Sequence, residues 1–195
     1  MTTQNEPQAG TQSRWQFDPF HTQVEFAAKH LGMMTVRGHF AEISANGNIY
    51  PDNPEASSVD ITIQTASIRT HNENRDNDLR SSNFLEVDKY PMITFKSTKI
   101  EQVGQGRYTM TGDLTIKGNT RPVNLDVIRY GEFTDPNMGH RIGYAAEGQI
   151  NRDDFGLNFN MMLDGRLVVS KEIKINIEGE LVEVMQPATA AKAGE

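Results

Sequence analysis

Apolar and polar residues alternate along most of the chain with a period of two. In the segment that begins at Tyr108, Tyr108, Met110 and Leu114 stand on one parity, and Thr109 and Thr111 stand on the other. Such alternation predicts a β-strand with one buried face. The chain is therefore expected to form about eight strands, because the same pattern occurs in seven further segments: Val24–His30, Val36–Phe40, Val59–Ile63, Ile93–Phe95, Val123–Val127, Ile142–Ile150 and Ile173–Ile177.

Two short polar segments are typical of tight turns between these strands. They are KGNTRP, residues 117–122, and LDGRL, residues 163–167, and the second contains an Asp-Gly pair suited to a hairpin. No long helical pattern separates the strands, so their apolar faces must pack against one another. We expect an all-β fold, either a closed antiparallel barrel or a sandwich.

Small residues occupy several positions on the apolar parity, where large side chains would be needed to fill a solid core. An eight-stranded barrel is near the size at which its interior is either filled or holds one small ligand. Missing side chains would therefore favour an interior with room for a ligand. Alternatively, the glycines mark bulges or bends of strongly coiled strands. Both interpretations stay open for these small residues. They are Ala28, Gly38, Gly112, Ala146 and Gly148.

An acidic, Asn-rich segment, residues 71–91, interrupts the alternation. Residues 74–82 show no period of two, and Leu79, Phe84 and Leu85 stand among charged side chains. A short helix with one apolar side fits this composition. Such a segment between two strands could cover an open barrel end and place its apolar residues over the interior. A solvated surface excursion is the alternative.

Composition limits the range of functions. A length of 195 residues suits one all-β domain, and the formal net charge of −7 disfavours binding to nucleic acid. The chain has no cysteine, so it contains no disulfide framework. Its N-terminus lacks the apolar segment of a signal peptide. We expect a cytoplasmic protein with one domain over residues 15–184, a disordered tail over 1–14 and a flexible tail over 185–195.

The sequence does not predict that residues capable of catalysis or metal binding lie close together in the fold. Strand parity places His30 on the inner face and His39 on the outer face, so these histidines do not predict a metal site. Asp153 and Asp154 are adjacent and point apart in an extended chain, which makes them a poor acid and base pair. The sequence also has no G-x-S-x-G segment and no P-loop. We expect no catalytic residue, no metal ligand and no enzymatic activity.

Four segments resemble the YceI-like, lipocalin-like family in their order and spacing. They are WQFDPFHTQVEFAAKHLGMMTVRGHF, ASIRTHNENRDNDLRSSNFLEVDKYPMITFKST, MTGDLTIKGNTRPVNL and INRDDFG, and the resemblance covers about Trp15 to Leu181. It implies an antiparallel eight-stranded β-barrel whose long apolar cavity holds a polyisoprenoid or similar long-chain amphiphile. It also implies that RD-x-x-LRS-x-x-F is a short helical cover. The characteristic residues of that central motif correspond to Arg75, Asp76, Leu79, Arg80, Ser81, Phe84, Tyr90, Pro91 and Phe95.

We therefore expect a non-enzymatic protein that binds, stores or transports a long isoprenoid chain. The expected partners are this lipid, with no further cofactor, membranes in transient contact, and a second copy of the chain in a homodimer. The head group is expected at the cavity mouth, near His30 or Arg152. An enzyme acting on a lipid-like substrate, or a filled barrel serving as a protein-interaction module, stays open as an alternative. The predicted ligand contacts are Phe26, His30, Phe40, Leu79, Phe84, Phe95, Met110, Leu114, Phe155, Met161 and Met162.

Overall fold

The structure, a computed structural model, describes residues 13–185. The predicted tails lie outside the described residues, except for strand ends at Ser13, Arg14 and Met185. Among residues 13–185, no helix is both long and apolar enough to cross a membrane.

Short 3-10 helices lie at Pro54–Ala56, Thr65–Ser67 and Arg152–Phe155, and one α-helix, α1, spans Glu73–Arg80. The strands are β1 (Ser13–His30), β2 (Met34–Phe40), β3 (Ile43–Asn48), β4 (Ser58–Gln64), β5 (Ile68–Arg69), β6 (Met92–Gly104), β7 (Arg107–Ile116), β8 (Asn119–Asp135), β9 (Gly139–Asn151), β10 (Met162–Leu163), β11 (Arg166–Leu167) and β12 (Val169–Met185).

Ten of these strands form one antiparallel sheet in the order β3-β4-β6-β7-β8-β9-β12-β1-β2-β5, and β10 pairs with β11 in a separate ribbon. β2 and β3 are consecutive in the chain and separated only by Ala41 and Glu42, yet they lie towards opposite ends of this order. The sheet must therefore curl until its two ends approach each other. The predicted antiparallel barrel is confirmed, although eight strands was too few, because β3 is short and rich in small residues and β5, β10 and β11 have two residues each.

Both predicted turns are present. Lys117 and Gly118 have φ angles of 50° and 73°, and Asp164 and Gly165 have φ angles of 48° and 74°. Two consecutive positive φ angles define the type I′ turn, whose twist matches that of a β-hairpin. The first turn joins β7 to β8, and the second joins β10 to β11.

The glycines on the inward parity are covered by side chains of neighbouring strands. The Phe26 ring lies over Gly38, and a Cβ atom at Gly38 would be 2.4 Å from Cζ of Phe26. The Phe95 ring covers Gly112 in the same way, at 2.3 Å. Neither glycine has a positive φ. These glycines thus leave no vacant space, because each has the edge of an aromatic ring against its backbone. Gly112 also agrees with the bulge interpretation, since it pairs with Ser97 at the irregularity of β6 between Ser97 and Lys99.

The predicted helical cover is confirmed as α1 and the turns that follow it, and residues 73–91 are called the cover below. The side chain of Asn72 caps α1 by accepting a hydrogen bond from the backbone N–H of Arg75. Arg75 donates to the hydroxyl and carbonyl oxygens of Thr70, and Arg80 donates to the carbonyl oxygens of Ala66 and Ile68. Hydrogen bonds from these two arginine side chains therefore hold the cover against residues 66–70.

Candidate functional site

The interior of the barrel contains two adjoining apolar cavities. The first, called the outer section, lies under the cover and has a volume of about 180 Å³. Its exposed surface is apolar, although Glu25 and Arg152 are among the residues that line it. Phe26 and Phe40, whose ring centroids are 5.6 Å apart, contribute to this wall. Six of the residues predicted from the sequence come together around the outer section, namely Phe26, Phe40, Leu79, Phe84, Phe95 and Leu114.

The second cavity, called the inner section, extends towards the opposite end of the barrel. It has a volume of about 120 Å³, and Met110 from the predicted set lines it. The two sections are continuous in their walls, because four residues line both of them: Val24, Ile61, Leu125 and Ile177. The two sections therefore adjoin at these four side chains, and together they are called the lumen.

The cover closes one end of the lumen. Leu79 lies on α1, and Phe84 and Leu85 follow it in a turn held by a hydrogen bond from the Leu85 N–H to the Leu79 carbonyl. All three residues line the outer section. The Phe84 ring meets the ring of Phe159, from the segment after the last 3-10 helix, edge to face at 5.5 Å. Residues from two distant parts of the chain therefore meet above the lumen.

Four of the predicted contact residues do not line the lumen. His30 was predicted to point inward, but it is exposed, and its Nδ1 lies 3.1 Å from the Val168 carbonyl. The alternation is interrupted there by an irregularity in the pairing of β1 with β12 between Ala28 and His30. Phe155 is 1% exposed and fills the core. Met161 and Met162 are exposed on the β10–β11 ribbon, at 55% and 61%.

Arg152 is buried next to the outer section without a carboxylate partner in hydrogen-bonding contact. It donates hydrogen bonds to the carbonyl oxygens of Ser170, Leu157 and Phe159. Burial lowers its pKa, and the charge of Asp153 acts in the opposite direction. Asp153 itself pairs with Lys171 at 2.7 Å. Because the outer wall is apolar, the guanidinium faces these carbonyls and not the lumen.

A polar cluster lies at the register irregularity of β1 between Phe17 and Thr22. Arg141 Nη1 contacts Asp18 Oδ2 at 2.6 Å and Glu180 Oε2 at 2.7 Å. Burial alone would raise the pKa of Asp18, but hydrogen bonds from Arg141, His21 and the Phe20 N–H hold it well below its usual range. Potential ligand atoms of Asp18, His21 and Glu180 lie within 4.8 Å of one another. Because Arg141 already supplies a positive charge to both carboxylates, the geometry supports a structural role for this cluster.

Sequence reasoning missed three tyrosines of the inner section. Tyr50, Tyr108 and Tyr144 all line it. Tyr108 stands on the inward parity with Met110, and Tyr144 shares its parity with Ile142 and Ala146, so the alternation could have identified both. Tyr50 follows the end of β3 and carries no such signal.

Comparison with known proteins agrees with this architecture. The YceI-like domain model matches residues 15–181. A UPF0312 protein of Pectobacterium carotovorum is 38% identical over 159 residues, which cover 82% of this chain and 81% of that protein. The crystal structure of a Campylobacter jejuni YceI protein superimposes with a TM-score of 0.68 at 33% identity and covers 82% of this chain and 90% of that one.

A more distant structure shares the fold. It is a polyisoprenoid binding domain from Saccharophagus degradans, implicated in plant cell wall breakdown, with a TM-score of 0.62 at 15% identity over 89% of this chain and all of that chain. The family match over 15–181 and the identity to the Pectobacterium protein extend over nearly the whole of the described barrel. The chain therefore belongs to the YceI-like family.

Proposed function

We propose that the protein binds one long isoprenoid chain in the lumen and stores or transports it without altering it chemically. The observation that carries this proposal is the adjacency of two apolar sections that share Val24, Ile61, Leu125 and Ile177 in their walls. An elongated apolar space suits a long, narrow hydrocarbon. Each buried methylene contributes about 0.8 kcal/mol, so such a chain binds tightly with few polar contacts.

Binding is favoured over catalysis by the chemistry of the walls. An enzyme acting on a lipid would need a polar cluster next to the substrate, whereas the outer section is apolar and Arg152 is turned to backbone carbonyls. The family relationship and the shared fold of the Saccharophagus domain, which is described as polyisoprenoid-binding, give further support.

Mass spectrometry of an organic extract from the purified protein tests this proposal. We expect a stoichiometric isoprenoid that is absent from an extract of the Ile177→Trp variant, because the new side chain would obstruct the junction of the two sections. Val184→Trp is the matched control, since Val184 is exposed and lines neither section. A lipid-free extract from protein that also fails to take up added geranylgeraniol would overturn the proposal.

We also propose that the lipid is exchanged during transient contact with a bilayer. The β1–β2 turn and the segment 161–168 lie side by side, because the Leu31 N–H donates to the Val168 carbonyl and the Val168 N–H donates to the Met161 carbonyl. Residues 29–37 and 156–171 carry four Lys or Arg and one Asp in a chain of net charge −7, and one of the four cations, Lys171, pairs with Asp153. This local positive charge suits an anionic bilayer. The exposed apolar residues here are Met33, Met34, Met161, Met162 and Leu163.

Transfer of a fluorescent geranylgeranyl probe from vesicles of phosphatidylglycerol and phosphatidylcholine tests this contact. The Met161→Ser and Met162→Ser double variant should take up the probe more slowly from vesicles, while its affinity for detergent-dispersed probe stays unchanged. The matched control replaces the exposed Met138, on the turn between β8 and β9, by Ser. Equal uptake rates for both variants would contradict membrane contact through the ribbon.

A further inference from the structure

Three cationic side chains lie together on the outer face of β12, β1 and β2. Directly opposite residues of adjacent strands point to the same face of a sheet, and Ala27 is opposite both Lys174 on β12 and Arg37 on β2. Lys29 stands on the same parity of β1 as Ala27, so it points to this face as well. Phe26, on the other parity, lines the outer section. The three cations therefore point away from the lumen, and Lys29, Arg37 and Lys174 are called the collar below.

The charges of the collar are not neutralised within the protein. All three side chains are exposed, and among residues 15–184 none of them forms an ion pair with a carboxylate. The Lys29 ammonium donates a hydrogen bond to the Thr35 hydroxyl at 2.7 Å, which leaves its charge unpaired. The exposed Glu172 shares the parity of Lys174 on β12. One carboxylate against three cations leaves this part of the surface positive in a chain of net charge −7.

Carboxylates occupy the same face further from the β1–β2 turn. Glu147, Asn176 and Glu25 are opposite one another across β9, β12 and β1. Glu178 follows two residues beyond Asn176 on the same parity of β12. The outer face of these strands is thus positive near the turn and negative beyond it. An anionic surface would attract the first band of charge and repel the second, so this distribution orients the barrel with the turn towards such a surface.

The collar lies a short distance behind the apolar residues of the turn. Met33 and Met34 are 63% and 67% exposed, and Arg37 is the third residue after Met34 along β2. A strand rises about 3.3 Å per residue, so Arg37 is about 10 Å behind Met34. Peripheral helices bury their apolar residues about 5–10 Å into the boundary between head groups and acyl chains. The same depth for these methionines would bring the collar to the level of the lipid phosphates.

We infer that the collar binds phosphate groups of an anionic phospholipid bilayer while the methionines of the β1–β2 turn enter its surface. This inference rests on the proposed exchange of lipid at a bilayer, and it adds the lipid chemistry that is recognised and the orientation of the barrel. The Val168 carbonyl is bonded to the Leu31 N–H of the turn, and the next residue, Val169, lines the outer section. This orientation therefore brings the outer section close to the bilayer.

Sedimentation with vesicles tests the role of the collar. The vesicles contain phosphatidylcholine either alone or mixed with phosphatidylglycerol. A Lys or Arg near an anionic surface strengthens binding about 5-fold, so the Arg37→Gln and Lys174→Gln double variant should bind mixed vesicles about 10- to 30-fold more weakly. The matched control is Lys96→Gln with Arg107→Gln, because these exposed cations lie on β6 and β7 and it removes the same charge. The control should lose less than about 2-fold, and high salt should reduce the difference.

Fluorescence quenching tests the orientation independently of affinity. The chain contains no cysteine, so a single introduced cysteine can carry a bimane label. Gln149 is exposed and opposite Lys174, whereas Gln16 is exposed near the other end of β1. Nitroxide groups on the lipid heads should quench a label at Gln149→Cys and leave a label at Gln16→Cys unchanged.

Equal losses for the two double variants would overturn the inference, as would equal quenching of the two labels. Equal affinity of the wild-type protein for neutral and mixed vesicles would also overturn it, because the collar would then serve a partner other than an anionic bilayer. Uptake of detergent-dispersed geranylgeranyl probe measures the proposed lipid binding separately. Intact vesicle binding without that uptake would overturn the proposed function alone.

Discussion

Aromatic rings that lie against glycines form part of the wall of the lumen. Phe95 covers Gly112 and Phe26 covers Gly38, and both rings also line the outer section. A ring held against the backbone occupies little of the interior. The glycines therefore matter to the lumen indirectly, through the position that they allow a neighbouring side chain to take.

Gly112→Ala tests this pairing. The new Cβ would be 2.3 Å from Cζ of Phe95 and 2.6 Å from the Lys96 carbonyl oxygen, so the ring must move into the outer section. We expect a loss of about 1–3 kcal/mol in the free energy of unfolding, measured with urea, together with weaker isoprenoid binding. Gly131→Ala is the control, because no heavy atom lies within 4 Å of its Cβ. Equal stability of the two variants would contradict the pairing.

The carboxyl group of Asp18 should make the free energy of unfolding depend on pH. Its pKa is lower in the folded chain than the ordinary value of 3.8, so the folded state binds fewer protons than the unfolded state. The corresponding stabilisation is present above that value and is lost as the pH falls below it. Asp18→Asn should lower the urea midpoint at pH 7 and reduce the further fall below pH 4, whereas Asp60→Asn, the control at an exposed aspartate, should leave both nearly unchanged.

At the scale of elements, the sequence predicted strands most accurately where the apolar and polar alternation is long and is bounded by turn residues. The eight strands with clear alternation, the turns at Lys117–Gly118 and Asp164–Gly165, and α1 are all present. The placement of Met161 and Met162 could not be derived this way, because it depends on a ribbon held outside the barrel by Asn160, which accepts a hydrogen bond from the Val169 N–H. Single interruptions of pairing, as at His30, are likewise set by the neighbouring strand.

The cover should control the release of the ligand through its contact with Phe159. Phe159 is 41% exposed and meets Phe84 edge to face, a contact worth about 0.5–1.5 kcal/mol. Phe159→Ala should therefore speed dissociation of a fluorescent geranylgeranyl probe by about 2- to 10-fold in stopped flow, with little change in the urea midpoint.

The matched control for this release experiment is Phe133→Ala, since Phe133 is exposed on β8 and lines neither section. Truncation of Phe84 itself is less informative, because it is 8% exposed and its loss should cost about 3–5 kcal/mol of stability. If Phe159→Ala and Phe133→Ala release the probe at the same rate, the two covering segments do not act as a gate.

At the scale of the whole molecule, the family resemblance predicted a long cavity. The division of that cavity into two sections could not be predicted, because it depends on three-dimensional packing. The junction brings together Val24 from β1, Ile61 from β4, Leu125 from β8 and Ile177 from β12, whose approach depends on the curl of the whole sheet. Strand parity gives the inward direction of each side chain but not its depth along the lumen. The homodimer stays a prediction, and sedimentation equilibrium of the full chain would test it.

The adjacency of the two sections predicts how affinity depends on the length of the ligand's chain. If both sections are filled, affinity should rise from geraniol through farnesol to geranylgeraniol, because each added methylene that is buried contributes about 0.8 kcal/mol. Ile177→Phe should narrow the junction, so its affinity for geraniol should stay near that of the wild type while the gain for geranylgeraniol disappears. Val127→Phe is the control for Ile177→Phe, because Val127 lines the inner section only and its replacement leaves the junction unchanged. Titration of a fluorescent competitor measures all three alcohols. A wild-type affinity that stops rising at geraniol, or an Ile177→Phe profile parallel to that of the wild type, would show that the ligand occupies one section only.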